Sequence, residues 1–289
     1  MHLDLLQSIS LCGDAATPND DRAGADATRA WVIDGATDLG PPGLLGDRGG
    51  AAWLAAAADS AFGQIDGHAA DRADGGDLRA TCGQVFAAVE QRFVHERRRD
   101  PVAAWELPSA AFAAVQLTGN QLDVAWAADC AVLLMSRGAA TWCTPVPDRR
   151  PESAAAAALG DGVGASTLRS PAVLDDRRRA RERVDRRVLT VDATVSRRST
   201  DIVTMPVSDG DSVLLMSDGF VALVDSYAAY DAAGLFAAVI ERGLASLAVE
   251  LRTIEQGDAA CRRYPRFKRS DDATALWLRV AGTPTASPA

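Results

Sequence analysis

Val213-Leu-Leu-Met-Ser-Asp218-Gly219 is an apolar run that stops abruptly at an acid and a glycine. A short run of this kind reads as a buried strand with the acid at its tip. Alone it says little, because Asp-Gly after an apolar run is also a common turn. The pattern recurs, however. Ala30-Trp-Val-Ile-Asp34-Gly35 is a second run closed by Asp-Gly, and Leu122-Asp-Val-Ala-Trp-Ala-Ala-Asp129 is a third closed by an acid. Near the C-terminus the order reverses, with Asp271-Asp272 opening Ala273-Thr-Ala-Leu-Trp-Leu-Arg-Val280. If that last strand runs antiparallel to the others, all these acids meet at one edge of the sheets. Asn19-Asp20-Asp21-Arg22, after a first strand candidate from Leu3 to Leu11, adds a fifth contribution.

Outward from these strands, the chain separates helices from strands. Gly35 to Gly43 is too rich in Gly and Pro to be anything but a loop. Asp47 to Ile65 and Leu78 to Arg98 carry apolar residues at helical spacing, with a polar loop from His68 to Asp77 between them. Arg97 to Arg99 suit the carbonyl end of a helix dipole. Strands at Ala110 to Leu117, Leu122 to Ala128, Val132 to Ser136 and Ala140 to Thr144 read as a β-meander. Two helices followed by a run of strands argue against a doubly wound parallel sheet and for layered antiparallel sheets with helices outside.

Residues 145–187 are harder to read: a loop to Pro151, a short helix from Glu152 to Leu159, and a turn at Gly160 to Gly164. That turn follows an alanine run and lacks a phosphate-binding lysine, which argues against a nucleotide loop. Leu174 to Val188 is dense in arginine (Arg177, Arg178, Arg179, Arg181, Arg183, Arg186, Arg187). It reads either as a solvated helix face or as a docking surface for an acidic or phosphorylated partner. Strands return at 188–191, 202–207 and 213–216, then helices at Asp231 to Arg242 and Leu244 to Cys261, then the final strand. With no repeat or linker, one domain over residues 1–281 is expected, with a flexible tail at 282–289.

The chain has 289 residues, 48% hydrophobic and 24% charged, enough to bury a full core. A net charge of −9 argues against a general nucleic-acid binder. Lys268 is the only lysine. Five scattered cysteines without a Cys-x-x-Cys pair suggest reduced, buried thiols. No signal peptide is read at Met1, and no apolar run is seen near the roughly 18–20 residues of a membrane span. A cytoplasmic protein without membrane or nucleic-acid partners is expected.

Several carboxylates at one edge repel one another, and divalent cations reverse the sign of that interaction. All-oxygen donors select hard ions such as Mg²⁺ or Mn²⁺. The three histidines (His2, His68, His95) lie beside none of the acid motifs. Two such ions about 4 Å apart can bind a phosphoryl group and acidify a water, so phosphate hydrolysis is the chemistry this pattern suits.

On these residues the chain resembles the metal-dependent serine/threonine protein phosphatases of type 2C, in their bacterial-like form. Asn19-Asp-Asp-Arg22 is similar to the family's early Asn-Glu-Asp motif and Val32-Ile-Asp34-Gly35 to its first Asp-Gly. Ala127-Ala-Asp129-Cys-Ala-Val-Leu133 is similar to its Gly-Asp-Ser-Arg strand, Met216-Ser-Asp218-Gly219 to its Ser-Asp-Gly, and Asp271-Asp-Ala-Thr274 to its closing Asp-Asn-x-Thr. The resemblance implies an α+β fold, an αββα sandwich of two antiparallel sheets with helices on both faces. It also implies a binuclear Mn²⁺ or Mg²⁺ centre that activates a bridging water against phosphoserine and phosphothreonine in proteins, the products of a serine/threonine kinase. By resemblance Asp34 bridges both ions and the Gly35 carbonyl binds one. Asp218 and Asp271 complete one ion, Asp20 with adjacent Asp21 the other, and Asp129 a weaker third; Asp34 and Asp218 are thus the central catalytic acids. Ala16 stands where many members have a phosphate-gripping Arg, and Ala36 where many have a His. Arg22 and Thr37 are the candidates left for contacting substrate. The alternative is a metal-binding pseudophosphatase that recognises a phosphorylated partner without turnover.

Overall fold

The computed structural model describes residues 1–65, 77–159, 171–183 and 185–282. One sheet runs, in spatial order, β1 (His2–Leu11), β11 (Ala273–Ala281), β10 (Ser212–Met216), β6 (Ala131–Ser136) and β7 (Ala139–Trp142). The other runs β2 (Asp21–Ala25), β3 (Arg29–Gly35), β4 (Ser109–Thr118), β5 (Gln121–Ala127) and β9 (Asp201–Pro206), with β8 (Leu189–Thr190) also on β4. The pairings are antiparallel, including both pairings of β11, so its first residues do lie beside the last residues of β10.

The sandwich explains why the deciding stretch is apolar at every position. Alternate strand residues point to opposite faces. Val213 and Leu215 face the other sheet, in a core with Val32, Val115, Val132 and Leu278. Leu214 and Met216 face outward onto helices, in a core with Phe220, Phe236 and Leu251. On the second sheet Ala30 and Val32 point inward, while Trp31 and Ile33 pack with Phe62 and Phe86. A strand covered on both sides leaves no polar position until its tip. Each fully buried side chain of this size contributes about 1.5–3 kcal/mol, so both faces hold their layers.

Helices α1 (Gly50–Gln64) and α2 (Leu78–Glu96) cover the second sheet. Helices α6 (Asp218–Asp225) and α7 (Ala232–Gly257) cover the first. Helices α3 (Arg150–Ala158), α4 (Pro171–Glu182) and α5 (Ala193–Ser199) lie in the connection between β7 and β9. The αββα sandwich is therefore observed.

Several local expectations change. The four strands expected as one meander are two hairpins in different sheets, because the chain crosses over at Ala128, whose φ of 64° turns it away from β5. Strand β2 and helices α5 and α6 carried no recognised signal. Arg97 is the C-cap of α2, its backbone N–H donating to the Phe93 carbonyl at 3.0 Å, while the side chains of Arg97 and Arg99 pair with Asp100 and Glu106. Helix α7 breaks at Gly243, where φ is 76°, between the two helices expected. The Leu244 N–H freed by that break donates to Gln7 Oε1 at 2.7 Å, beside a bulge in β1. By length and composition alone α7 could cross a membrane, contrary to the sequence reading, but Leu235, Phe236, Leu247 and Leu251 bury its apolar face on the sheet. All five cysteines are free, and all except Cys12 are buried. Most of the polar loop expected after α1, the turn at 160–164 and the tail beyond 282 lie outside the described residues.

Candidate metal centre

Asp34 is the penultimate residue of β3 and Asp21 begins β2, and the two are direct cross-strand partners. Asp34 shares the inner face with Val32, so both carboxylates enter the end of the inter-sheet core. Like charges placed directly opposite are destabilising on a sheet. Asp218 arrives from the other sheet. Ser217 ends the β10 segment and is locked to β11, its N–H donating to the Thr274 carbonyl and its hydroxyl accepting from the Thr274 N–H, both at 2.9 Å. Asp218 is then the first residue of α6, where an acid suits the helix dipole. The Asp-Gly at this point is a helix start, not a turn. Gly219 is required for a different reason: a Cβ there would lie 1.9 Å from the Asp272 carbonyl oxygen.

The two acids that open β11 divide their work. Asp271 lines the cleft and accepts from Lys268 at 2.6 Å. Asp272 accepts from the backbone N–H of Gly13 at 2.7 Å and of Asp20 at 2.6 Å, tying the first loop to the last strand. Gly35 donates to the Asp20 carbonyl at 3.2 Å, and a Cβ on it would lie 2.7 Å from the Ala51 carbonyl at the start of α1. Asp38 supplies what that helix start lacks, its carboxylate accepting from Gly50 and Ala51.

The result is a cleft of about 250 Å³ at one end of the sandwich, lined among others by Asp34, Asp129, Arg149, Asp218, Lys268 and Asp271. Burial raises the pKa of Asp34 well above the ordinary range, and Asp218, Asp21, Asp271 and Asp129 add to it. Burial pushes Asp21 up to about 7; the Thr274 and Ser217 hydroxyls lie close enough to work against this, though neither makes a hydrogen bond to it, and Asp218 reinforces it. Asp129 meets solvent at the rim, yet the protein around it and Asp218 push it up to about 7. Burial, Asp272 and Asp38 take Asp20 to about 6. Asp218 is raised by burial, against the pull of Arg149. Asp271 alone falls, because Lys268 outweighs its burial.

Among the described residues, no group of three or more His, Cys, Asp or Glu side chains stands in a ready-made ligand arrangement. The donor chemistry nevertheless suits a hard cation. Both oxygens of Asp21 and Oδ1 of Asp218 are buried without a hydrogen-bond partner. Buried carboxylate oxygens in that condition are costly unless a cation meets them. Among the described residues, the cations ion-paired with these carboxylates are Arg149, on Asp218 and, at 3.0 Å, on Glu152, and Lys268 on Asp271.

The remaining candidates are placed elsewhere. Arg22 donates to the carbonyls of Asn19 and Asp21 at 2.8 and 2.6 Å, and Thr37 gives its carbonyl to Arg181 at 2.5 Å; neither lines the cleft. Ala16 lies exposed in the turn after β1. The arginine-dense helix is neither simply solvated nor simply a docking face. Arg178 stacks on Trp105 and donates to the Leu39 carbonyl, so with Arg181 it pins the loop after Gly35. Arg179 and Arg183 stay exposed. Arg149 and Lys268 were not recognised from sequence, although the lone lysine three residues before Asp271 was a signal.

No family model matches the chain, and no curated protein matches it. Solved structures do. The serine/threonine phosphatase PstP/Ppp of Mycobacterium tuberculosis superposes with a TM-score of 0.59 at 19% identity, over 98% of this chain and 100% of that one. The catalytic domain of PstP in complex with two manganese ions gives 0.56 at 18%, over 97% and 99%. The PPM Ser-Thr phosphatase MsPP of Mycobacterium smegmatis, in complex with cacodylate, gives 0.54 at 17%, over 96% and 99%. The chain has the PPM-type phosphatase fold. In that fold the carboxylates of Asp34, Asp218 and Asp271 sit where β3, β10 and β11 open onto one end of the sandwich, with Glu152 of α3 and Arg177 of α4 also lining the cleft.

Proposed function

We propose that the chain hydrolyses phosphoserine and phosphothreonine esters of cytoplasmic phosphoproteins with two divalent cations, Mn²⁺ or Mg²⁺. The observation that carries this reading is the excess of buried carboxylate over cationic side chains. Asp21, Asp34, Asp218 and Asp271, with Asp129 at the rim, are met by direct ion pairs from Arg149 and Lys268, while the other two arginines lining the cleft, Arg177 and Arg266, pair with Glu152 and Asp258. Asp34 is central, and would be shared between ions held by Asp218 and Asp271 on one side and by Asp21, Asp20 and the Gly35 carbonyl on the other. Asp129 at the rim suits a third, weaker ion. When bound, such ions supply charge stabilisation for phosphoryl oxygens and a water acidic enough to attack near neutral pH. The chain contributes position: paired strands fix Asp21 and Asp34, the Ser217–Thr274 clasp fixes Asp218, and Asp272 fixes Asp20.

One observation favours a second reading, a pseudophosphatase that binds a phosphorylated partner without turnover. The Asp218–Arg149 and Asp271–Lys268 pairs already neutralise two of the carboxylates, and Ala36 brings no acid to the leaving group. Phosphate release from phosphothreonine peptides and from p-nitrophenyl phosphate, with Mn²⁺ and with EDTA, separates the two. Turnover that needs Mn²⁺ and disappears in Asp34→Ala and Asp218→Ala is expected. Turnover surviving EDTA overturns the metal reading; tight Mn²⁺ binding without hydrolysis of any phosphoester leaves the pseudophosphatase.

A further inference from the structure

Arg149 differs from the other arginines around the cleft in what it holds. Arg266 is committed to the Asp258 carboxylate at 2.8 Å and to nearby carbonyls. Arg178 and Arg181 brace the loop after Gly35, and Arg22 is bound to its own strand. Arg149 instead grips Asp218, one of the carboxylates a divalent cation would take. Its backbone is anchored: it caps α3, its carbonyl accepting from Ser153 at 2.9 Å, within a segment stiffened by Pro145, Pro147 and Pro151. Its head is not confined in the same way. Arg149 lines both the acid cleft and an adjoining hollow of about 280 Å³ bounded by Asp129, Asp148, Glu152 and Asp225.

We propose that Arg149 is a displaceable counter-cation: it neutralises Asp218 until a divalent cation takes that carboxylate, and its guanidinium then binds the phosphoryl oxygens of the substrate. The inference rests on the cation-dependent reading above. A divalent cation on Asp218 takes up the charge that holds the guanidinium and repels the guanidinium beside it. The incoming ion therefore weakens the Asp218 contact. Glu152 keeps the side chain at the cleft mouth through the Nη1 contact. The freed edge of the guanidinium is a planar pair of donors, a shape that matches two phosphoryl oxygens. Metal binding and anion binding are then coupled, and by linkage each strengthens the other.

The test uses the full chain, Mn²⁺ and inorganic phosphate, with binding followed by calorimetry. In the wild type, phosphate binds more tightly when Mn²⁺ is saturating. In Arg149→Ala, phosphate affinity of the Mn²⁺-loaded protein falls at least tenfold, while Mn²⁺ affinity stays equal or rises because a competing cation is gone. Arg149→Lys, which keeps the charge without the fork, gives an intermediate loss and serves if the alanine variant does not fold. Unchanged phosphate affinity in the folded variants overturns the proposal, as does Mn²⁺ affinity that falls with the arginine. Mn²⁺-dependent turnover with unchanged phosphate affinity in Arg149→Ala refutes this inference and leaves the proposed function standing. The expected binding pattern without turnover of any phosphoester does the reverse.

Discussion

Asp21 and Asp34 face each other across β2 and β3, and neither oxygen of Asp21 has a hydrogen-bond partner. The pair is a source of strain that proton or metal cation relieves. Asp21→Asn should raise the melting temperature in EDTA by several degrees, since a change of about 1 kcal/mol moves the midpoint of a domain this large by roughly 2–4 °C. It should also weaken Mn²⁺ binding. A lower melting temperature in EDTA would show that the carboxylate is held by contacts other than cations.

The same acids set a pH dependence. Asp20, Asp21 and Asp129 have folded pKa values raised to about 6, 7 and 7 from an unfolded value of 3.8. The folded state then binds more protons than the unfolded state between those limits, so stability falls as pH rises. In EDTA this contribution is fully present below about pH 4 and lost by about pH 7. Saturating Mn²⁺ should flatten or reverse the slope. Thermal melts across pH 4.5 to 7.5 read the effect directly, and a stability that climbs with pH in EDTA would contradict it.

Gly219→Ala places a methyl group 1.9 Å from the Asp272 carbonyl oxygen. Neither backbone has a flexible end that can yield, so α6 or the start of β11 must shift. A loss of about 1–3 kcal/mol in denaturant melts is expected, as for overpacked cores. Mn²⁺ affinity should fall with it, because Asp218 and Asp271 ride on the two displaced segments. A variant with unchanged midpoint would mean the approach is looser than the geometry gives.

Asp272→Asn is a conservative change with an uneven result. The carboxylate accepts from two backbone donors, Gly13 and Asp20, and an amide can accept from only one while turning its NH₂ toward the other. Stability should drop by about 1–3 kcal/mol, with loosened exchange protection at residues 13–20. Equal protection in wild type and variant would rule the clasp out.

Arg181→Ala and Arg179→Ala separate bracing from solvent exposure on α4. Arg181 reaches the Thr37 carbonyl, and burial pulls its pKa down to about 10, whereas Arg179 is exposed. The first should increase proteolytic cleavage in residues 36–49; the second should stay within about 0.5 kcal/mol of wild type. Equal cleavage in both would return the helix to a purely solvated role.

The layers and the acid-bearing strand tips were legible because a strand buried on both faces admits a polar residue only at its end. Asp34, Asp129 and Asp218 interrupt apolar runs for that reason. What stayed hidden lacked such a contrast. Strand β2, Asp-Arg-Ala-Gly-Ala, has no apolar run and is half-buried after Asp21. Asp218-Gly219 spells both a turn and a helix start, and what requires its glycine, the nearby Asp272 carbonyl, is more than fifty residues away. The switch between sheets at Ala128 depends on a backbone angle that alanine does not advertise. Lys268 was noticed as a compositional oddity, but its partner Asp271 gives it its meaning.

Strand β11 follows the other described strands in chain order, and it sits between β1 and β10, not at an edge. Until it emerges, the first strand made has no neighbour in its own sheet, and β10 shows an open flank. The acids contributed by residues 20–34 then have no counterparts from 271–272, so a nascent chain cannot assemble the cleft piecemeal. Pairing across the full length of the chain is slow because loop closure precedes the contacts that reward it. The cleft should therefore close only once Ala273–Ala281 are in place, and clipping them would split a sheet down its middle.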